Sequence, residues 1–236
     1  MAANVIVTGK ISLGIQFLIG GLDIYVLTLP RSREVLLRDL LKVEIGVQFV
    51  EFMFYVWMVR QWKSKKSLKR ILQFRYIDWM ITTPTMLITL MAFLGGTPQQ
   101  SLLSFIQQHW NFIMYVLILN FFMLWLGLCG EWGTIPQHYA VLFGFIPFII
   151  YFTMIYHRFV HNNPLQQVKE IKEIKQFSSF KVQMFYYFFI IWSIYGVMGF
   201  FPPIFKNIGY NILDLFSKNV LGVILSVMLL RRPPTF

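Results

Sequence analysis

Asn211-Ile212-Leu213-Asp214-Leu215-Phe216-Ser217-Lys218-Asn219 lies in the middle of the last long apolar stretch, Ile208–Leu230. An ammonium placed in hydrocarbon costs about 3 kcal/mol on insertion scales, so a lysine at that depth has a partner or a task. Asp214 stands one helical turn before Lys218 and Asn211 roughly a turn earlier again, offsets that stack all three on nearly one face. Asn219 points about 100° away and addresses a different neighbour. Another apolar stretch carries Asp78 directly after Arg75-Tyr76-Ile77, with Trp79 next and Thr82 one turn on. One buried cation with two candidate counter-carboxylates fits a charged cofactor, an ion path, or a structural network that only ties two helices together.

The rest of the chain puts this stretch in a bilayer. Of 236 residues, 57% are hydrophobic and 13% are charged, about half the charge of a globular domain. Seven segments have the length to span: Val5–Leu29, Leu36–Val59, Phe74–Leu94, Trp110–Leu128, Ile135–Tyr156, Phe180–Phe200 and Ile208–Leu230. The expected fold is an all-α membrane protein, a seven-transmembrane-helix bundle forming a single domain over residues 1–236. Pro84 and Pro147 fall inside spans as tolerated kinks. No cleavable signal peptide stands out, because the first apolar run carries Asp23 and ends in Pro30.

Several function classes drop out. The net charge of +11 comes from basic residues set between apolar stretches, which is not a nucleic-acid-binding face. Cys129 is the only cysteine, and His109, His138, His157 and His161 make no metal-ligand spacing. No nucleotide-binding loop is present, and the chain does not read as an enzyme. Charge sets orientation only weakly. Arg31, Arg33, Arg38, Arg158, Lys169, Lys172, Lys175, Lys181, Arg231 and Arg232 on one side oppose Arg60, Lys63, Lys65, Lys66, Lys69 and Arg70 on the other. The tract 168–175 (VKEIKEIK) reads as a short helical extension at the water interface.

The polar residues within the spans carry the chemistry. A lysine amine condenses with an aldehyde to a Schiff base, which stays protonated only beside a carboxylate such as Asp78 or Asp214. Arg75 would keep those aspartates ionised. Glu44 and Glu51 lie seven residues apart on one face of the second span, about 10 Å along its axis, with Gln48 near the same stripe. Carboxylates spaced in this way suit a hydrated cation route or a proton relay. For Glu44 the plainer alternative is a pair with Lys42 or an interfacial charge. The first span adds Ser12 and Gln16 one turn apart, although small polar residues also glue membrane helices together. Asp23 reads as a capped or hydrated residue near a helix end. Trp79, Trp192 and Tyr195 sit on segments able to enclose a long apolar ligand attached at Lys218.

These motifs resemble the microbial rhodopsin family. Arg75-Tyr76-Ile77-Asp78-Trp79-Met80-Ile81-Thr82-Thr83-Pro84 resembles its third-helix signature. Asp214-Leu215-Phe216-Ser217-Lys218 is similar to its retinal-lysine motif, and Trp192-Ser193-Ile194-Tyr195 to its sixth-helix retinal wall. The resemblance implies all-trans retinal on Lys218 as a protonated Schiff base. It makes Asp78 the primary counterion and proton acceptor, with Thr82 as its hydrogen-bond partner, and Asp214 the second counterion. Arg75 would gate the extracellular side, while Trp79, Trp192, Tyr195 and Tyr76 would form the pocket. It also implies an extracellular N-terminus.

Proton-pumping relatives usually carry a carboxylate eleven residues beyond the primary counterion, where this chain has Thr89. Residues 196–213 contain no acidic residue, and Gly196 stands where pumps commonly have proline. The set Ser12, Gln16, Glu44, Glu51, Asn211 and Asn219 resembles the first group of viral rhodopsins, from giant viruses of algae, which are similar to light-gated cation channels. That resemblance implies a polar path for small monovalent cations beside the retinal, with modulation by calcium. It implies no catalytic residue and no resident metal, and it leaves room for a homo-oligomer among membrane lipids. The host cell surface or an internal membrane would hold the protein. The rival readings are an outward proton pump with Glu51 as an unusual donor, and a photosensor that drives a partner protein.

Overall fold

A computed structural model describes residues 2–29, 34–61, 66–162 and 172–231, and among them no strand occurs. Seven long helices form the bundle: α1 (Ala2–Thr28), α2 (Val35–Gln61), α3 (Lys66–Gly95), α5 (Trp110–Trp132), α6 (Gln137–Ile155), α7 (Lys172–Met198) and α8 (Pro203–Arg231). The short α4 (Leu102–Gln108) lies in the link from α3 to α5, and a π-helical turn at Tyr156–His161 prolongs α6. Arg31, Arg33, Lys63, Lys65, Lys169 and Arg232 of the charge comparison lie outside the described residues, as do residues 168–171 of the interfacial tract.

The helices overrun the expected apolar limits. α3 begins at Lys66 rather than Phe74, because Leu68, Ile71 and Leu72 are buried while Lys69 and Arg70 face outward. That amphipathic turn carries the helix past the apolar segment. α8 begins at Pro203 rather than Ile208, since proline is already shaped for a first helical position. The turn after α5 needs a left-handed residue, and Gly133 supplies it at φ 81°. Pro84 and Pro147 are accommodated inside α3 and α6.

Six of the long helices have the length and apolarity to cross a bilayer by composition. α2 has the length, but Glu44 and Glu51 lower its hydropathy. Both are fully buried against neighbouring helices, while Phe49 and Met53 face outward. It therefore spans by hiding charge in the bundle. α2 packs on α1, α3 and α8, and α8 also packs on α1, α3 and α7. The candidate site and path residues within the spans lie on α1, α2, α3, α7 and α8.

Candidate functional site

Lys218 projects from the middle of α8 into the bundle and is 2% exposed. Its Nζ donates to Asp78 Oδ2 of α3 at 2.6 Å, and Asp214 Oδ1 lies 3.9 Å away on its own helix. A third carboxylate, Glu51 Oε1 of α2, is 3.6 Å from the same nitrogen. The sequence placed Glu51 at mid-span on a path and missed that it faces the lysine.

The two aspartates differ in what holds them. Asp214 accepts from Arg75 Nη1 at 2.5 Å, from Tyr55 Oη at 2.7 Å and from Tyr195 Oη at 2.7 Å. Among the described residues Asp78 has only the lysine, and its Oδ1 is buried without a partner. Here the structure corrects one expectation. Thr82 donates at 3.0 Å to the backbone carbonyl of Asp78, not to its carboxylate. A threonine hydroxyl inside a helix finds the carbonyl one turn earlier, and that bond uses its only donor.

Arg75 is fully buried among the rings of Phe54, Tyr55 and Tyr210, with its guanidinium carbon 5.0–5.7 Å from their centroids. Its Nη2 donates to Asn211 Oδ1 at 2.6 Å. Asn211 Nδ2 donates in turn to Val5 O and Thr8 Oγ1 of α1, and Ser12 Oγ donates to the Asn211 carbonyl at 2.8 Å. Ser12 and Asn211 therefore tie α1 to α8 at one end of the site. Tyr55, absent from the sequence reading, lies one turn from Glu51 on the same face, and that spacing was the available signal.

Beyond the Lys218 nitrogen is an apolar cavity of about 110 Å³. Tyr76, Trp79, Trp192 and Tyr195 line it, together with Tyr210, which the sequence did not single out. Trp192 Nε1 is anchored on Ser217 Oγ at 3.0 Å, and Trp79 meets Tyr195 and Tyr210 edge to face. Four glycines, Gly127, Gly144, Gly196 and Gly199, widen the walls. At Gly196 a Cβ would come within 2.5 Å of the Phe145 ring, so that ring fills the space a proline would need.

On the other side of Lys218 the polar residues continue. Among the described residues nothing partners either amide atom of buried Gln16 and Asn219, and Glu51 Oε2 is in the same condition. Glu44 Oε1 accepts from Thr89 Oγ1 at 2.7 Å. Lys42 pairs instead with Asp39, which excludes the expected alternative of a Lys42–Glu44 pair. Glu44 is also no interfacial charge, since it is fully buried. Asp23 departs from expectation too: it is fully buried and bonded to Gln48 and Ser226. Its seven-residue spacing from Gln16 was the signal for an inward face.

A buried lysine facing carboxylates thus stands at the end of an aromatic cavity within a seven-helix membrane bundle. The chain belongs to the bacteriorhodopsin-like family, whose family model matches residues 8–231. That family binds retinal, and the lysine, its counter-carboxylates and the glycine-widened aromatic cavity fit that group. In fold the chain is similar to the viral rhodopsin OLPVRII (TM-score 0.73, 22% identity, 95% of this chain and 96% of that one covered). It is also similar to xanthorhodopsin, described as a light-driven ion pump with dual chromophore (TM-score 0.71, 15% identity, 97% and 92% covered). A third similar structure is the light-driven proton pump of Coccomyxa subellipsoidea (TM-score 0.66, 14% identity, 95% and 96% covered). No curated protein matches the chain in sequence.

Proposed function

We propose that this chain is a light-gated channel that lets small monovalent cations run down their gradient. The supporting observation is the buried polar seam along α1, α2 and α8 beside Lys218. Gln16, Gln48, Glu51, Asn219 and Glu44 each hold at least one buried polar atom without a hydrogen-bond partner there. Leaving such an atom dry costs about 1–3 kcal/mol, so the seam favours water or ions.

Retinal, held covalently at Lys218 and taken as all-trans in the dark, supplies light absorption and a change of shape. The remaining steps belong to the protein. Asp78 holds the charge on the Lys218 nitrogen through Oδ2 and keeps Oδ1 unpartnered. Asp214, already engaged by three donors, is the less available acceptor, so the proton leaving the nitrogen goes to Asp78. Its transfer removes the cation that Glu51 faces at 3.6 Å. Glu51 has no hydrogen bond of its own to break and turns into the seam. Glu44 and Glu51 draw cations in, and calcium acts at the same carboxylates. On this reading the N-terminus faces outward, and the channel works in a membrane of the host cell. Photocurrents recorded while voltage and cation gradients are varied test it. The current should reverse with the gradient, and a current of constant direction would overturn the proposal.

A second reading, outward proton pumping, is favoured by one contact. Thr89 occupies the position where pumping relatives carry a carboxylate, and its hydroxyl holds Glu44 there instead. Glu44 rather than Glu51 would then return the proton. A pump acidifies its medium against an imposed gradient, and Glu44→Gln would slow the late part of its cycle.

A further inference from the structure

Asp23 Oδ2 accepts from Gln48 Nε2 of α2 at 2.8 Å, and its Oδ1 from Ser226 Oγ of α8 at 2.6 Å. Three helices thus meet at one fully buried carboxylate. The ion pairs among the described residues do not include it.

Two glycines make room for the cluster. A Cβ on Gly222, one turn beyond Lys218, would overlap Asp23 Oδ2 and come within 2.6 Å of Gln48 Nε2. Gly20 faces Gln48 Oε1, where a Cβ would stand at 3.3 Å. That Oε1 is buried and unpartnered, as are both amide atoms of Asn219, two turns before Ser226 on α8.

A buried carboxylate served only by neutral donors lacks the positive charge that a low-dielectric interior demands. A carboxylate, a hydroxyl and the carbonyl of Gln48, whose amide nitrogen now faces Asp23, form once that amide turns over an oxygen set that replaces part of a small cation's hydration shell. We propose that Asp23, Gln48 and Ser226 form a binding site for a monovalent alkali cation, and that Asp23 sets which cations the seam passes. The site's role in conduction rests on the channel reading. Ser226 lies about two turns beyond Lys218 on α8, on the face of Asn219, so a movement of that helix at the lysine carries Ser226 with it.

The test is the sodium-to-caesium permeability ratio, taken from photocurrent reversal potentials. Asp23→Asn, with its visible absorption retained, is expected to change that ratio by about threefold or more. Ser226→Ala removes one ligand with little change in packing and should move it in the same direction by less. Gly222→Ala should cut the steady current about tenfold, because its methyl group displaces the carboxylate. An unchanged ratio in both Asp23→Asn and Ser226→Ala overturns the proposal. A wild-type current that never reverses overturns the channel reading instead. Infrared spectra of dark membranes, with sodium exchanged for N-methylglucamine, then judge the site. A carboxylate band that shifts in the wild type but not in Asp23→Asn supports it, and the absence of any shift overturns it.

Discussion

Thr89 of α3 and Glu44 of α2 are joined by a 2.7 Å hydrogen bond from hydroxyl to carboxyl oxygen, both groups fully buried. Two features that look independent in the sequence form one unit in space. Thr89→Val would leave both Glu44 oxygens without a donor, since Oε2 already has none. The lost bond is worth about 1–2 kcal/mol, which should alter the closing rate of the photocurrent roughly tenfold without moving the absorption band. Flash-induced current decay in the variant checks this.

Lys218→Ala removes the nitrogen at which retinal attachment is proposed. Protein supplied with retinal should then show no visible band. A retained band would break the central assignment, and absorption spectroscopy reads it directly.

Asp78→Asn removes the carboxylate nearest the Lys218 nitrogen. The pigment should absorb at longer wavelength, because less negative charge then stabilises the positive end of the chromophore in its ground state. Asp214→Asn should behave differently. It also releases Arg75, Tyr55 and Tyr195, so pigment yield and thermal stability should fall along with any spectral change.

Lys206 of α8 and Glu131 of α5 form a further buried ion pair at 2.5 Å, apart from those around Lys218 and Arg75. Lys206→Met strands the carboxylate and should destabilise the pigment by about 3–5 kcal/mol. Adding Glu131→Leu should recover most of that loss. Thermal bleaching rates of the single and double variants measure both effects.

Gly196→Pro, which installs the residue common in pumps, would drive its ring into Phe145. Pigment yield should fall in the single variant, and Phe145→Ala should restore it by vacating the space. Retinal titration of the two variants makes the comparison.

The sequence by itself determined the seven-helix membrane bundle and pointed to Lys218, Asp78 and Asp214. Charge in a long apolar run is costly wherever it occurs, and helical periodicity is local, so both signals survive without knowledge of packing. Apolarity understated α2, whose charges are visible in the sequence but whose burial is not. The tertiary structure decided who partners whom. It set Glu51 against Lys218, Tyr55 and Asn211 on the Asp214–Arg75 pair, Thr89 on Glu44, and Thr82 on a backbone carbonyl. It also turned Asp23 from an expected helix-end residue into the junction of three helices. Contacts between helices depend on the depth and rotation of each helix, which close packing sets through residues such as Gly222 and Gly196. Spacing along one chain segment reveals a helix face, but not what that face meets.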